Sequence, residues 1–432
     1  MKTLLIIADS PTLETGFGRV CKNLLSAWLT AGIFDSIEVW GIGYTGWPHS
    51  LPVKIYPAQC YEASNWCNPV NLARLARLIE VKKYSHLWVM QDLFLLSSPA
   101  CLETLGKAVV NGGDFWGMET TCYFPIDAPV DAWWIKFLAL VDRPVAYTDY
   151  GRAEVLKHPS DLLSVQGVDV IPHGTDTAVY HPLGESKFAL RKQLLAGCDW
   201  HEDDFLVINV NQNQRRKGLL QTLQTFARLR IQMPYRRFKL YLHMRSVNES
   251  EGIDLKIVAR ELDLGTDVMF GDSAFAGGKA LMSEAGLNLL YNAADLLLTT
   301  TMGEGWGLSI TEAMAAGCPV AGPCHTSLKE LLRVGEAERG IGFHTMGHVL
   351  LSGDNNRLRP VTDVDDAARM IADAIEGQAG SPSGESGGNP DLHENARRAL
   401  EWIHRPEFRW EAVAAAFYPA SKPEGKAESA HE

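Results

Sequence analysis

Two glutamates in a glycine-rich segment are the residues best placed to do chemistry in this sequence. Glu304 and Glu312 lie in the stretch 301–320, which follows a short apolar run. The glycines of this stretch permit a tight turn and close backbone approach to a ligand, and good helix formers begin at Leu308. The free N–H groups of such a helix would point at a phosphate, and the two carboxylates could accept hydrogen bonds from sugar hydroxyls. The glycines of the turn are Gly303, Gly305 and Gly307.

The same segment also fits an ordinary crossover connection, with Glu312 as a solvated acid early in the helix.

A second segment favours the ligand interpretation. Arg215, Arg216 and Lys217 follow the apolar run Phe205–Val210, where arginine offers a fork and lysine a point charge to a diphosphate. A basic turn is often simply solvated, but the carboxyl end of a parallel strand is where ligands bind.

Four other positions raise the same choice between a ligand contact and a structural role. Gly16 and Gly18 lie between the first apolar run and a helix pattern, where the backbone could approach a phosphate. Asp127 follows Pro125 and Ile126 and could face a cleft or belong to a turn. His173 is a single histidine without an evident partner, a situation that is more often structural than catalytic.

Elements that could position these residues alternate along the chain. Short apolar runs and amphipathic helix patterns follow one another, which predicts an α/β fold with parallel sheets and helical crossovers. We expect two Rossmann-like doubly wound domains, the first over residues 1–185 and the second over 200–390. The stretch 377–390 is predicted to be a flexible loop, 391–420 resumes an apolar helix pattern, and 421–432 forms a tail.

Particular strands and one capped helix can be placed in this pattern. A helix is predicted to start after Thr15, which would cap it, and to end at Gly32. The predicted strands are Leu4–Ala8, Ile37–Trp40, His86–Met90, Asp169–Pro172, Phe205–Val210, Phe238–His243, Asp295–Thr299 and Cys318–Ala321.

The composition is that of a globular protein. The chain has 432 residues, of which 46% are hydrophobic and 21% charged, so disordered, collagenous and coiled-coil classes are excluded. Its 52 acidic and 40 basic residues give a formal net charge of −12, which disfavours a protein that coats nucleic acid. No apolar run is long enough for a membrane span. The eight cysteines lack metal-finger spacing, so reduced thiols, a cytoplasmic location and no metal site are expected.

These segments together resemble the retaining glycosyltransferases of the two-domain B-type fold, GT-B. Glu304 and Glu312 match the Glu-x7-Glu signature of the large family that includes sucrose synthase and bacterial mannosyltransferases. The Gly-Phe-Gly loop at 16–18, the stretch Ile171–Asp176, the Arg-Lys-Gly of the basic turn and Tyr291–Asp295 agree in order and place. The resemblance runs from residue 1 to about residue 332.

The resemblance implies a nucleoside-diphosphate sugar held in a cleft between the domains and transfer with retention of the anomeric configuration. Glu304 would be the acid near the sugar hydroxyls and Glu312 the acid on the nucleotide ribose. Arg216 and Lys217 would bind the diphosphate without a metal ion or other cofactor. The last helix would cross back onto the first domain. Backbone N–H groups for sugar and phosphate would come from Trp306, Gly307 and Leu308.

The sequence departs from the family pattern at three places. Asn211-Gln212 stands where the family usually has Gly-Arg, so Arg215 is a candidate replacement cation. His173 stands where many relatives have asparagine. Tyr123–Asp127 occupies the place of an acceptor-cleft histidine, and Asp127 is the candidate acceptor contact.

The acceptor remains open at this stage. A saccharide or small molecule fits the acidic chain, but the many first-domain tryptophans could also stack on a flipped, hydroxymethylated DNA base, as in some phage enzymes. A nucleotide-sugar-binding protein without turnover is a further alternative. A non-hydrolysing epimerase on a similar fold agrees less well with the Glu-x7-Glu context.

Overall fold

The computed structural model describes residues 1–110, 117–158, 167–195, 199–274, 283–332, 338–355, 357–377 and 392–419. It contains two parallel sheets in successive halves of the chain. The first has the strand order β3-β2-β1-β4-β5-β6-β7, and the second the order β10-β9-β8-β11-β12-β13. In each sheet the order reverses beside the first strand of the domain, which is the arrangement of a doubly wound fold. Residues 378–390 of the predicted loop over 377–390, and the predicted tail over 421–432, lie outside the described residues.

Strands of the first sheet are short and buried. Their bounds are β1 Thr3–Asp9, β2 Ser36–Ile42, β3 Lys54–Pro57, β4 His86–Met90, β5 Glu119–Phe124, β6 Arg143–Ala146 and β7 Asp169–Val170.

The second domain adds an antiparallel hairpin to its parallel sheet. The sheet strands are β8 Phe205–Val210, β9 Phe238–His243, β10 Val268–Phe270, β11 Leu296–Leu298, β12 Val320–Pro323 and β13 Ile341–Phe343. The hairpin pairs β14 Thr345–Leu350 with β15 Leu358–Thr362.

Helices connect most of the strands. Their bounds are α1 Gly16–Ala31, α2 Pro69–Lys82, α3 Leu93–Leu96, α4 Pro99–Val110, α5 Asp149–Leu156, α6 Lys187–Leu194, α7 Leu219–Gln232, α8 Leu255–Glu261, α9 Gly271–Ala274, α10 Glu284–Ala293, α11 Leu308–Ala315, α12 Thr326–Leu332, α13 Val364–Ile375, α14 Leu392–Ile403 and α15 Trp410–Phe417. Short 3₁₀ turns occupy Trp134–Leu140, Arg215–Lys217, Gly265–Asp267 and Pro406–Phe408.

Local chemistry explains where α1 begins and ends. The Thr15 hydroxyl accepts a hydrogen bond from the backbone N–H of Gly18, which satisfies one of the free donors of the first turn. At the other end Gly32 adopts a left-handed conformation (φ 61°) and its N–H donates to Leu29 O at 3.2 Å. The predicted cap and stop of this helix are therefore confirmed. The strands predicted from apolar runs also form. Three of them, His86–Met90, Phe205–Val210 and Phe238–His243, have the predicted bounds, and the ends of the others differ by at most two residues.

The last two helices connect the domains. His404, just after α14, contacts Ala315 O of α11 through Nε2 at 3.1 Å. On α15, Ala414 O accepts a hydrogen bond of 3.1 Å from the indole N–H of Trp28 in α1. A Cβ added at Gly174 would lie 2.6 Å from the ring of Trp410, so this glycine allows α15 to pack closely on the first domain. The end of the described chain thus lies against the first domain.

No helix in the described part of the chain is long and apolar enough to cross a membrane.

Candidate active site

The carboxyl ends of the central strands bring charged side chains from both domains to the interdomain cleft. In the first domain Asp9 ends β1, and Asp92 follows the neighbouring strand β4. In the second domain Arg216 and Lys217 follow β8, and Glu304 follows the neighbouring strand β11. Both pairs of strands lie where the strand order reverses, the position at which doubly wound sheets bind ligands.

Backbone contacts align the two second-domain turns. The N–H of Met302 donates to Arg216 O at 2.8 Å, and the Thr300 hydroxyl donates to Gly218 O at 2.7 Å. The basic turn and the glycine-rich turn are therefore fixed against each other. Side chains that follow β8 and β11 meet because these strands are neighbours.

Glu304 forms the centre of one ionic cluster. The ammonium group of Lys217 donates to Glu304 Oε1 at 2.6 Å, and Arg216 Nη1 lies 3.7 Å from Glu304 Oε2. Arg216 also donates to the carbonyl oxygen of Gly303. Burial raises the pKa of Glu304, but Lys217 and Arg216 outweigh burial, so the net pKa lies below the usual value. Glu304 is therefore ionised at neutral pH.

Asp127 joins this cluster from the first domain. Its Oδ2 lies 3.4 Å from Arg216 Nη1, and its Oδ1 accepts a hydrogen bond of 3.1 Å from Arg359 Nη1. Burial raises the pKa of Asp127, but Arg216, Arg359 and Lys217 lower it to below the usual range. The carboxylate of Asp127, the predicted acceptor contact, therefore lies between two arginines of the second domain.

Glu312 meets a different set of partners. Its Oε1 accepts from Arg19 of α1, and its Oε2 accepts from the Tyr291 hydroxyl at 2.9 Å. Arg19 also donates to the Tyr180 hydroxyl at 3.1 Å. Burial raises the pKa of Glu312 and Arg19 offsets only part of that effect, so the net pKa lies above the usual value. Arg19 therefore places a first-domain cation on the predicted ribose acid.

The glycine-rich turn needs its small residues at defined contacts. A Cβ at Gly305 would lie 2.6 Å from Cβ of Pro125, which shows how closely the second domain approaches the first at this point. Gly307 is the N-cap of α11 and has φ 119°, a conformation that favours glycine. Leu308 is the first residue of the helix. The helix N-terminus therefore begins directly after the turn that carries Glu304, as the sequence predicts.

His173 lies in an aromatic cluster. Its Nδ1 is 2.7 Å from the Tyr123 hydroxyl, and its ring centroid lies 4.2 Å from that of Tyr147 and 5.6 Å from that of Trp306. Burial lowers the pKa of His173 to about 3, so the ring is neutral at physiological pH. A neutral, enclosed imidazole of this kind packs and orients its neighbours, which agrees with the structural alternative considered for this histidine.

Other sequence-predicted residues are divided between the cleft and local packing. Gly16 approaches the second domain, since a Cβ there would lie 3.7 Å from the side chain of Leu308. Gly18 packs closely against the preceding loop, because a Cβ there would lie 2.6 Å from Leu13 O. The structure does not bring Arg215 into the Glu304 cluster: its side chain is exposed, since the 3₁₀ turn points successive side chains in different directions.

Among the described residues no group of three or more histidine, cysteine, aspartate or glutamate side chains could hold a metal ion.

Comparison with known proteins finds a family similar to the second domain. Residues 205–374 match the family model described as glycosyl transferases group 1. These residues contain the basic turn, the glycine-rich turn and the hairpin. This match covers most of the second domain and less than half of the chain.

Solved glycosyltransferase structures match nearly the whole chain. Sucrose-phosphate synthase from Thermosynechococcus elongatus has 17% identity and a TM-score of 0.68, with 96% of this chain and 97% of that chain covered. HepE from Anabaena, solved with UDP-glucose, has 15% identity and a TM-score of 0.62, with 96% and 98% covered. WaaG, a glycosyltransferase involved in lipopolysaccharide biosynthesis, has 13% identity and a TM-score of 0.63, with 96% and 99% covered. The chain therefore has the GT-B fold. No curated protein sequence matches it.

Within this fold, sequence reasoning assigned no role to four charged residues of the cleft, which are Asp9, Arg19, Asp92 and Arg359. Asp92 is half-buried, and burial beside Asp127 raises its pKa to about 7. Its sequence signal is an acid two residues after the buried strand β4, close to the position that Asp9 holds at the end of β1. Arg19 directly follows the Gly-Phe-Gly stretch, in the first turns of α1. Arg359 lies on the hairpin, where no local pattern marks it.

Proposed function

We propose that this chain is a retaining glycosyltransferase that moves a sugar from a nucleoside-diphosphate sugar to a hydroxyl group of a saccharide or small molecule. The observation that carries the proposal is the Glu304–Lys217 pair, whose atoms lie 2.6 Å apart at the switch point of the second sheet. The group 1 family match of this domain and the GT-B fold of the chain support glycosyltransferase activity.

The donor is proposed from the charges at the switch point. Arg216, Lys217 and the N-terminus of α11 together supply positive charge for a leaving diphosphate. HepE, a protein with the same fold, is described in complex with UDP and with UDP-glucose, which makes a nucleotide-bound sugar the natural candidate here. These cations can neutralise the diphosphate by themselves, so we expect transfer without a metal ion.

Glu304 and Glu312 are proposed to act on different parts of the donor. Ionised Glu304 can accept hydrogen bonds from sugar hydroxyls and stabilise the positive charge that develops on the sugar ring. Glu312, set on α11 behind the glycine-rich turn, can exchange its contact with Arg19 for hydroxyls of the nucleotide ribose. The bond between the anomeric carbon and the phosphate oxygen breaks, and the acceptor oxygen bonds to the same face of that carbon. The acceptor proton leaves with the diphosphate oxygen.

Charges on the first-domain side favour a neutral acceptor. Asp9, Asp92 and Asp127 follow neighbouring strands of the first sheet and present three carboxyl groups at the cleft edge. A DNA backbone carries one negative charge per nucleotide and binds surfaces rich in lysine and arginine. Carboxyl groups instead suit the hydroxyls of a saccharide, which they bind as hydrogen-bond acceptors.

The test is a donor screen. The protein is incubated with UDP-, GDP-, ADP- and TDP-sugars, with and without EDTA, and release of nucleoside diphosphate is followed beside Glu304→Ala and Lys217→Ala. Release from one donor, insensitive to EDTA and lost in both variants, supports the proposal. That donor is then offered with mono- and oligosaccharides and with hydroxymethylated DNA, and the anomeric configuration of the product is read by NMR. An inverted product contradicts retention, and transfer to DNA alone contradicts the acceptor class. Binding of a donor without release in the presence of every acceptor would indicate a binding protein.

A further inference from the structure

The hairpin of the second domain carries an arginine into the cleft. Arg359 lies on β15, and its side chain is only 4% exposed. Its Nη1 donates to the main-chain oxygen of Asp127 at 2.6 Å and to Asp127 Oδ1 at 3.1 Å. Its Nε and Nη2 donate to the two carboxylate oxygens of Asp354 at 2.6 and 2.8 Å. This fork-to-carboxylate pairing fixes the plane of the guanidinium.

The contacts of Arg359 determine the orientation of Asp127. One carboxylate oxygen and the carbonyl oxygen of Asp127 are held by the same nitrogen of Arg359, so neither the backbone nor the side chain is free to turn. The other carboxylate oxygen then faces Arg216 Nη1 at 3.4 Å. Asp127 therefore transmits the position of the hairpin to Arg216.

Arg359 and Arg216 differ in the donors that they have left for a ligand. Arg359 uses Nε, Nη1 and Nη2 on Asp354 and Asp127. The contacts of Arg216 to Asp127, Glu304 and Gly303 all run through Nη1. Within the part of the chain that the structure describes, the remaining edge of the Arg216 guanidinium is available for the diphosphate, whereas Arg359 is committed to protein partners.

We propose that Arg359 is a positioning residue of the donor site, which holds the Asp127 carboxylate against Arg216 and so aligns the Arg216 guanidinium with the leaving diphosphate. Asp354 fixes Arg359 in turn. This inference rests on the proposed function, because it assigns the diphosphate to Arg216.

Several charged groups set the ionisation of Asp127. Arg216 and Lys217 face it from the basic turn, Arg359 from β15, Asp92 from the loop after β4 and Tyr150 from α5. The three cations lower the pKa of Asp127 against the effect of burial. Removal of Arg359 therefore raises that pKa, and protonation of Asp127 weakens its hold on Arg216 at a higher pH than in the unaltered protein.

The test compares variants of two arginines on the same hairpin. Arg359→Gln removes the charge and most of the fork, Arg359→Lys keeps the charge, and Asp354→Asn loosens Arg359 alone. Arg357→Gln is the matched control, because Arg357 also reaches the first domain, where it pairs with Asp131 and lies 4.5 Å from the ring centroid of Trp134. That contact lies outside the Glu304 cluster.

Release of nucleoside diphosphate is measured from about pH 3 to pH 8 for each variant, because the pKa of Asp127 lies below the usual carboxyl value. Arg359→Gln is expected to lower kcat about 10- to 100-fold with little change in donor KM, the scale that misalignment of a catalytic group produces. Its acid limb should move to higher pH, Arg359→Lys should recover part of kcat, and Asp354→Asn should lie between. Arg357→Gln should keep the pH profile. Equal losses and equal profiles for Arg359→Gln and Arg357→Gln would overturn the inference.

A second readout does not depend on turnover. The carboxyl carbon of Asp127 is followed by NMR in protein labelled with ¹³C-aspartate, with Asp127→Asn for assignment. A titration midpoint that rises in Arg359→Gln and stays constant in Arg357→Gln supports the positioning role, and a constant midpoint in both overturns it. A protein that releases diphosphate from no donor but shows this shift would contradict the proposed function and not the Arg359–Asp127 link.

Discussion

Glu304 and Glu312 belong to one turn and helix, yet their surroundings perturb them in opposite directions. Two second-domain cations, Lys217 and Arg216, flank Glu304 and lower its pKa against the effect of burial. A single first-domain cation, Arg19, reaches Glu312, and burial prevails, so that pKa is raised. The same residue type at the two ends of one signature therefore acquires two electrostatic characters. The difference comes from elements far away in the chain, which a local motif does not contain.

The contrast supports the division of labour proposed above for the two carboxylates. Glu304 is ionised and sits beside the cations that a diphosphate needs, so it suits the reacting end of the donor. Glu312 is more deeply enclosed and shares its charge with Tyr291 and Arg19. It suits a binding role, in which a neutral ligand hydroxyl exchanges with a protein contact.

Loss of the Lys217 charge should have the strongest consequence for activity. Lys217→Met removes the cation closest to Glu304 and one of the charges proposed for the leaving diphosphate. Release of nucleoside diphosphate should fall about 100- to 1,000-fold, the usual cost of losing one preorganised electrostatic contact. Steady-state kinetics at saturating donor measure the loss. A decrease of less than about threefold would remove Lys217 from the site.

The substitution Arg19→Gln removes the ion pair between Arg19 and Glu312. This variant leaves a buried carboxylate without its cation, which should lower the free energy of unfolding by about 2–3 kcal/mol. A folded-state pKa above the unfolded value means that Glu312 contributes stability below about pH 4, and this contribution is lost as the pH rises through the folded pKa. Without Arg19 the folded pKa rises further, so the deficit should be larger at about pH 8 than at about pH 5.

Urea unfolding at the two pH values measures the Arg19 effect. The double variant Arg19→Gln with Glu312→Gln serves as the control, because removing both charges should restore most of the stability. A double variant as unstable as Arg19→Gln alone would show that the loss comes from packing of the arginine stem and not from the unpaired, buried charge of Glu312.

A smaller effect is expected on the acceptor side. Burial raises the pKa of Asp92 to about 7, so ionisation of this group costs stability as the pH rises from about 4 through 7. Asp92→Asn should raise the free energy of unfolding by about 1 kcal/mol at about pH 8, a value discounted for partial exposure, and by less at about pH 5. Thermal unfolding at both pH values checks the sign. An Asp92→Asn variant that is less stable than the unaltered protein at the higher pH would contradict this prediction.

The two arginines of the basic turn, Arg215 and Arg216, should differ in their effect on diphosphate release. Arg215 is exposed and lies outside the Glu304 cluster, so Arg215→Ala should change diphosphate release by less than about threefold. Arg216→Ala in the same assay should cost at least tenfold more than Arg215→Ala, on the order expected for a lost charged contact. Similar losses in both variants would restore Arg215 as a donor-binding cation.

Much of the fold was predictable because the buried strands are nearly continuous apolar runs. Strands such as β1, β8 and β9 and the caps of α1 follow from local residue types. Strand β5 was missed because Glu119, Thr120 and Thr121 dilute its apolar pattern. The structure satisfies Thr120 through Asp142, whose Oδ2 accepts from the threonine hydroxyl at 2.6 Å. Such tertiary compensation leaves no local signal.

The site divides in the same way. Glu304, Lys217 and the start of α11 could be placed because a strand, a turn and a helix N-terminus follow one another within each segment. Arg359 could not be placed, because its partner Asp127 lies 232 positions away in the chain. Arg19 likewise reaches Glu312 across 293 positions. Contacts between domains depend on closure of the cleft, which composition and spacing do not encode.

The different roles proposed for the two carboxylates are tested most directly with Glu304→Gln and Glu312→Gln. For each variant, kcat, donor KM and nucleoside-diphosphate affinity are measured with one donor. Both substitutions replace a carboxylate by an uncharged amide of nearly the same size. We predict that Glu304→Gln lowers kcat about 100-fold or more with little change in affinity. Glu312→Gln should weaken donor binding with kcat held within about threefold. Loss of the same parameter in both variants would contradict the division of labour between the two carboxylates.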